Sequence, residues 1–242
     1  MSEELRISIV RHSTPVVALG FAAVLALITT QLRADVVLPT GLAPGSRYEI
    51  AFLTTDTTAA TSSDINYYNS FVTSQADQDA TLASLGVAWT AIASTPTVAA
   101  NVNAPFSSAI PVYNTLGLPV ATSACPLYSG NLLNYGIYIN QYGVRTVNDE
   151  SVWTGTCVTG NPGIPVYPLG STTGTATFGL DFGYSQGVWL TELDTQTNVG
   201  LPMYALSAPI TVGAVPEPTS LTLLGTALLG LGVASLVRRR QA

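Results

Sequence analysis

The chain of 242 residues contains no lysine and only one histidine, His12. His12 lies near the N-terminus, in a stretch with the pattern of a secretory leader, so the exported part would hold neither residue type. This excludes a Ser-His-Asp or Cys-His catalytic site and histidine-ligated zinc from that part. It also excludes a lysine Schiff base and a lysine-containing phosphate loop.

Positive charge is almost as scarce in the middle of the chain. Between residues 35 and 215, two arginines stand against eleven acidic residues, and the net charge is −9. A surface this acidic repels phosphate backbones, so we expect no nucleic-acid partner. The remaining polarity comes from Thr, Ser, Asn and Gly, as in secreted proteins that meet carbohydrate.

Only two cysteines are present, Cys125 and Cys157. In an oxidising compartment an even pair predicts one disulfide, here closing a loop of about 30 residues. On the chain-entropy model such a crosslink stabilises a fold by roughly 3 to 4 kcal/mol. A catalytic thiol would need a nearby base, and no histidine is available.

The N-terminus predicts a secretory signal peptide over residues 1–34. Arg6 and Arg11 precede an apolar run at 15–28, and Ala34 supplies a small residue for cleavage. An uncleaved N-terminal anchor is the alternative.

The C-terminus, residues 214–242, has three parts in a fixed order. A Pro-Glu-Pro motif is followed by an uncharged apolar stretch at 219–237 and then by an arginine cluster: Pro216, Glu217, Pro218, Arg238, Arg239 and Arg240. The apolar stretch is long enough for a membrane-spanning helix, and the arginines would keep the end of the chain in the cytoplasm.

These three parts together resemble the PEP-CTERM sorting signal of Gram-negative bacteria. The resemblance covers about 27 residues. It implies recognition by an exosortase, transient anchoring in the inner membrane, cleavage near Pro216–Pro218, and export linked to exopolysaccharide or biofilm matrix. An ordinary C-terminal anchor that stays uncut is the alternative.

Between the two ends, the pattern predicts an extended lead-in at 35–46 and one α+β domain at 47–213. Alternation of Tyr48, Ile50 and Phe52 predicts a first core strand at 47–53. An N-capped amphipathic pattern predicts a helix at 64–76. Residues 86–94 fit a second strand or a short helix. After residue 95 the chain alternates short apolar runs with Pro and Gly, which favours antiparallel strands joined by long loops. These runs are at 110–113, 137–139, 151–153, 176–180, 188–190 and 204–212.

The order of motifs in this domain resembles a C-type-lectin-like module, especially the endostatin-like branch. The matching pieces are residues 48–76, 89–94, 110–114, 127–130, 151–156, Trp189 and 204–206. The resemblance implies two small antiparallel sheets, a helix or two, long loops held by a disulfide, and a binding role. The Glu-Pro-Asn, Gln-Pro-Asp and Trp-Asn-Asp triplets of calcium-dependent lectins are absent, so calcium-dependent sugar binding does not carry over.

Candidate ligand contacts cluster in sequence around one tryptophan. Asp181, Glu192 and Asp194 flank Trp189 in a glycine-rich region. Carboxylates can serve as acid and nucleophile on a glycosidic bond, and their oxygens suit calcium. Solvated surface charge is the alternative for the acids, and no spacing predicts a cofactor. Trp153 is predicted to lie in the core, while Trp189 fits either a core position or a sugar-stacking platform.

Three hypotheses follow from these observations. The first is a non-catalytic exported surface or matrix protein that binds exopolysaccharide. The second is a polysaccharide-active enzyme that uses two carboxylates across a cleft. The third is an all-β adhesin-like sandwich with the same export signals, which absence of the 64–76 helix would favour.

Overall fold

The computed structural model describes residues 36–131, 133–146, 150–162, 166–181 and 187–213. The predicted signal peptide and the whole predicted sorting signal lie outside these residues. Within the described part, no helix is both long enough and apolar enough to cross a bilayer.

The domain is mixed α and β, with more strands than helices. In chain order its elements are β1 (Arg47–Leu53), β2 (Thr58–Ala59), α1 (Ile65–Ala76), α2 (Ala80–Ser84), β3 (Trp89–Ala91), α3 (Ala100–Asn103), β4 (Val112–Asn114), β5 (Pro119–Ala121), β6 (Ser151–Trp153), β7 (Thr175–Leu180), β8 (Leu193–Gln196), β9 (Gly200–Leu201), β10 (Tyr204–Ser207) and β11 (Ile210–Thr211).

The largest sheet is built around β1. Its order is β3-β10-β1-β4-β5, and β11 pairs with the first residues of β1. The β1–β4 pair is parallel, and the other strand pairs of this sheet are antiparallel. Two smaller antiparallel sheets join β2 to β9 and β6 to β7 to β8.

β1 is buried on both faces because a separate apolar cluster packs on each side of it. Tyr48, Ile50 and Phe52 enter the cluster that also receives α1. Ala51 and Leu53 enter a second cluster that includes Val112 of β4 and several loop residues. The core strand predicted at 47–53 is confirmed, and every residue of it after Arg47 is buried.

α1 confirms the predicted helix within one residue. The Asp64 carboxylate caps the first turn by accepting from the Asn66 N–H at 2.9 Å. Ile65, Tyr68 and Val72 bury the apolar stripe. The all-β sandwich, which this helix argues against, is therefore ruled out for the described domain. α2 was not predicted from the sequence, although Asp79 caps that helix in the same way.

The later apolar runs mostly become strands, with two exceptions. Residues 151–153 form β6, while 204–212 divide into β10 and β11 around Pro209. The run at 137–139 makes only an isolated bridge, between Ile139 and Arg145. The run at 188–190 is a turn in which Trp189 and Leu190 are buried. Most of the apolar side chains of these two runs are buried in the core although the backbone there forms no strand.

Candidate ligand-binding sites

Trp189 lies in the core and offers no open ring face. The residue is 3% exposed. Its ring packs edge-on against Tyr204 with 5.7 Å between centroids. A Cβ atom added at Gly179 would lie 2.0 Å from the backbone carbonyl oxygen of Trp189, so a larger residue at 179 would clash with it. Of the two sequence interpretations of Trp189, the core position matches this environment.

Asp181 is fully buried just after β7 and ties neighbouring loops together. Its carboxylate accepts hydrogen bonds from the Thr146 hydroxyl and, at 2.9 Å, from the Glu150 N–H. Burial raises the pKa of the Glu150 carboxyl, and the nearby Asp181 charge raises it further. These bonds indicate that Asp181 holds the segment that precedes β6 against the end of β7.

The other two acidic residues lie at the surface of the small sheet. Glu192 and Asp194 are both exposed. Asp194 accepts a hydrogen bond from the Thr177 hydroxyl of the neighbouring strand β7. The structure therefore separates the four predicted residues: Asp181 and Trp189 lie inside the domain, and Glu192 and Asp194 lie outside it. They do not share one open cleft.

The predicted disulfide is not formed in the structure. Cys125 and Cys157 are both free and half-buried. Burial acts to raise the pKa of the Cys157 thiol, but hydrogen bonds from Thr159 and from nearby backbone groups outweigh it and lower that pKa. Both cysteines lie in loops.

A tyrosine groove runs along the start of α1. It is an open depression of about 580 Å³ lined by Asp64, Asn66, Tyr67, Ser70 and Phe71. Tyr67 and Phe71 are four residues apart, so they lie on the same face of the helix. The groove thus combines two aromatic rings with a carboxylate, an amide and a hydroxyl.

The ring of Tyr67 is held in place although 49% of the residue is exposed. Its hydroxyl forms a 3.0 Å hydrogen bond with the Thr58 hydroxyl of β2. Its ring meets Tyr68 edge-on, with centroids 5.1 Å apart. Tyr68 is itself fixed, because its hydroxyl donates to the Ser62 carbonyl and accepts from the Ser62 N–H. An exposed ring that is already ordered loses little entropy when a ligand stacks on it.

A second, more enclosed space lies against the large sheet, and we call it the Glu49 cavity. Its volume is about 170 Å³, and its walls come from β1, β3, α3 and the segment around β10: Glu49, Ala88, Thr90, Asn103, Pro105, Leu206, Ser207, Ala208 and Pro209. α3 is held there because the Asn69 and Asn103 amides bond each other and the backbone of Ala91.

Glu49 is the unusual member of this cavity. The residue is 4% exposed, and no described residue donates a hydrogen bond to its Oε2 atom. Burial raises the pKa of its carboxyl to about 7, while the charge of Arg47 acts to lower it. A buried carboxylate that lacks a donor is costly in the charged form, and this cost is the reason for the shift.

Neither Tyr67 nor Glu49 was predicted from the sequence as a site residue. A signal existed for Tyr67, because the helical spacing of Ile65, Tyr68 and Val72 leaves an aromatic residue off the buried face. No comparable signal existed for Glu49, which occupies the polar side of an alternating strand. Among the described residues, no group of three or more His, Cys, Asp or Glu comes together as a metal site.

Comparison with known proteins assigns no family. No protein-family model matches the chain. No curated protein shows significant similarity to it.

Proposed function

We propose that the chain is an exported bacterial surface or extracellular-matrix protein, sorted through an exosortase, whose folded domain is a non-catalytic module that binds exopolysaccharide. The Pro216–Pro218 motif, the apolar stretch and the arginine cluster support the sorting step. The mixed α and β domain with long loops is compatible with a C-type-lectin-like fold. The observation that carries the binding role is the tyrosine groove.

The groove has the chemistry that a sugar ring requires. Tyr67 and Phe71 offer apolar surface to the C–H face of a pyranose, while Asn66 and Ser70 are placed to bond its hydroxyl groups. The acidic surface of the domain repels a polyanion, so the preferred ligand is a neutral polysaccharide. Binding a polysaccharide requires no catalytic group, so this role is compatible with a domain that lacks histidine and lysine.

Replacing Tyr67 with alanine is expected to weaken binding of exopolysaccharide from the producing cells about tenfold, which corresponds to ~1.4 kcal/mol. Tyr67→Phe keeps the ring and should retain most of the affinity. Tyr167→Ala removes a tyrosine that is also partly exposed, at 40%, but lies outside the groove, and it should bind as the wild type does. Co-sedimentation of full-length protein with the polysaccharide measures all four. Equal binding by Tyr67→Ala and the wild type would contradict the groove's role.

The export step has its own test. The mass of the protein recovered from medium, matrix and membrane fractions of the native host should show a chain that begins near Asp35 and lacks the residues after Pro218. The same measurement shows whether Cys125 and Cys157 pair after export, because a disulfide removes two hydrogen atoms. Recovery of the intact C-terminus in the membrane fraction would overturn exosortase sorting and leave an anchored surface protein.

A carboxylate-dependent enzyme acting on polysaccharide is the second candidate, and one observation favours it. Burial, and then the nearby charge of Asp181, raises the pKa of the Glu150 carboxyl, as is expected of a general acid. The wild type would be incubated with the host polysaccharide and the release of reducing ends measured. Release by the wild type that is lost in Glu150→Gln would establish this activity. Unchanged polysaccharide after prolonged incubation with the wild type would contradict the enzymatic activity, and the binding role would be the remaining candidate.

A further inference from the structure

The Glu49 cavity contains an acceptor without a donor. Glu49 comes from the centre of the large sheet, and its Oε2 atom is buried with no hydrogen-bond donor among the described residues. Buried polar groups normally have partners, so an exception inside a cavity indicates a missing donor. The cavity volume of about 170 Å³ leaves room for a molecule of several heavy atoms.

The other walls show what kind of donor fits. Ala88, Pro105, Leu206, Ala208 and Pro209 make most of the lining apolar. The remaining polar groups are largely occupied, because Thr90 donates to the Leu206 carbonyl and Ser207 accepts from the Ile50 N–H. A ligand therefore needs one strong donor group for Glu49 and an apolar remainder for the rest of the space.

We propose that the Glu49 cavity binds a small organic ammonium ion, with the ammonium group against the Glu49 carboxylate and a short alkyl chain against the proline, leucine and alanine walls. This site is separate from the tyrosine groove and does not rest on the proposed role in polysaccharide binding.

A metal ion or an anion fits the same space less well. Calcium takes six to eight oxygen ligands, and one carboxylate among mainly apolar walls does not supply them. An anion would meet a carboxylate inside a domain with a strong negative charge. A primary ammonium ion has three donors, carries one positive charge and brings its own alkyl surface.

Affinity should depend on pH, because only the ionised carboxylate attracts the ammonium group. The charged group that acts on Glu49 is Arg47, from β1 itself. Tyr128, from the loop after β5, is the other titratable group nearby, and burial and then the charge of Glu49 raise the pKa of its hydroxyl. The remaining lining residues from β3, α3 and the β10 segment carry no titratable side chain. Burial raises the pKa of Glu49 to about 7, so binding should tighten as the pH rises through that value.

Calorimetric titration with n-butylammonium chloride tests the proposal directly. Full-length protein in mild detergent would be titrated at about pH 8 and about pH 5.5 at constant ionic strength, since alkylammonium ions stay protonated at both. The dissociation constant should be at least about tenfold higher at the lower pH. Uncharged n-butanol, which has the same chain length, should bind at least about tenfold more weakly than the amine at the higher pH.

Three variants separate the cavity from the general negative charge of the surface. Glu49→Gln should weaken amine binding at least about tenfold at pH 8. Ala208→Leu fills the cavity while keeping the carboxylate, and it should do the same. Glu192→Gln removes an exposed carboxyl and should leave binding unchanged.

Several results would overturn the proposal. These are no detectable amine binding by the wild type, equal affinity for n-butanol and n-butylammonium, or unchanged binding in both Glu49→Gln and Ala208→Leu. A loss of binding in Glu192→Gln as large as that in Glu49→Gln would show surface attraction only. If Glu49→Gln does not fold by circular dichroism, the pH series on the wild type and the Ala208→Leu variant still decide the outcome.

Discussion

Replacing Trp153 with alanine is expected to lower the free energy of unfolding by about 4 kcal/mol, the scale of losing a large aromatic side chain from a core. Trp153 has no exposed surface. Its indole N–H donates to the Thr58 carbonyl at 3.0 Å and to the Val199 carbonyl at 3.3 Å. Its backbone N–H donates to Pro202, next to β10. One residue of β6 thus links the small three-stranded sheet to the β2–β9 pair and to the large sheet.

Urea denaturation of Trp153→Ala, Trp153→Phe and Tyr167→Ala separates the causes of that loss. Phenylalanine keeps most of the buried volume but removes the indole N–H and part of the ring system, so we expect a cost of about 2 kcal/mol. Tyr167→Ala alters a partly exposed loop residue and should stay within about 0.5 kcal/mol of the wild type. A cost below about 1 kcal/mol for Trp153→Ala would show that the three sheets do not depend on the indole.

The second large effect is a dependence of stability on pH that originates at Glu49. The pKa of its carboxyl rises from an ordinary 4.5 to about 7 on folding. The folded chain therefore binds this proton more tightly than the unfolded chain does. The contribution of Glu49 to the free energy of unfolding is largest below the lower value and declines as the pH rises through the higher one, by about 3 kcal/mol in total.

Glu49→Gln should remove this decline. At about pH 5 the variant and the wild type should differ little, because the wild-type carboxyl is largely protonated. At about pH 8 the variant should be more stable by roughly 2 to 3 kcal/mol. Glu192→Gln changes an exposed carboxyl and should follow the wild-type curve. Parallel curves for Glu49→Gln and the wild type, measured by denaturation across this pH range, would contradict the assignment.

Local patterns were sufficient for the elements whose residues interact mainly with their neighbours in the chain. The Asp64 cap and the spacing of Tyr68 and Val72 predicted α1, because capping and i to i+4 contacts are local. The alternation in β1 and the short apolar run of β6 predicted strands for a similar reason. The α+β class followed from the order of these patterns.

The candidate sites were predicted poorly because a binding site needs residues that are distant in sequence. The four candidate residues are close in the chain, yet the turn at 188–190 buries the tryptophan, while Glu192, just before β8, and Asp194, within β8, lie at the surface. The walls of the Glu49 cavity come from segments separated by more than 100 positions. No single stretch contains that information.

The sequence by itself determined that residues 35–215 lack histidine and lysine and are strongly acidic, and it predicted the export signals and the main local elements. These follow from residue identity and from contacts between neighbours in the chain. Only the tertiary structure decided that β1 has two buried faces. The alternation in the strand does not show that Glu49 is buried, because the second apolar cluster on that side includes residues distant in sequence. Long-range packing therefore buries the Glu49 carboxyl, and this burial raises its pKa.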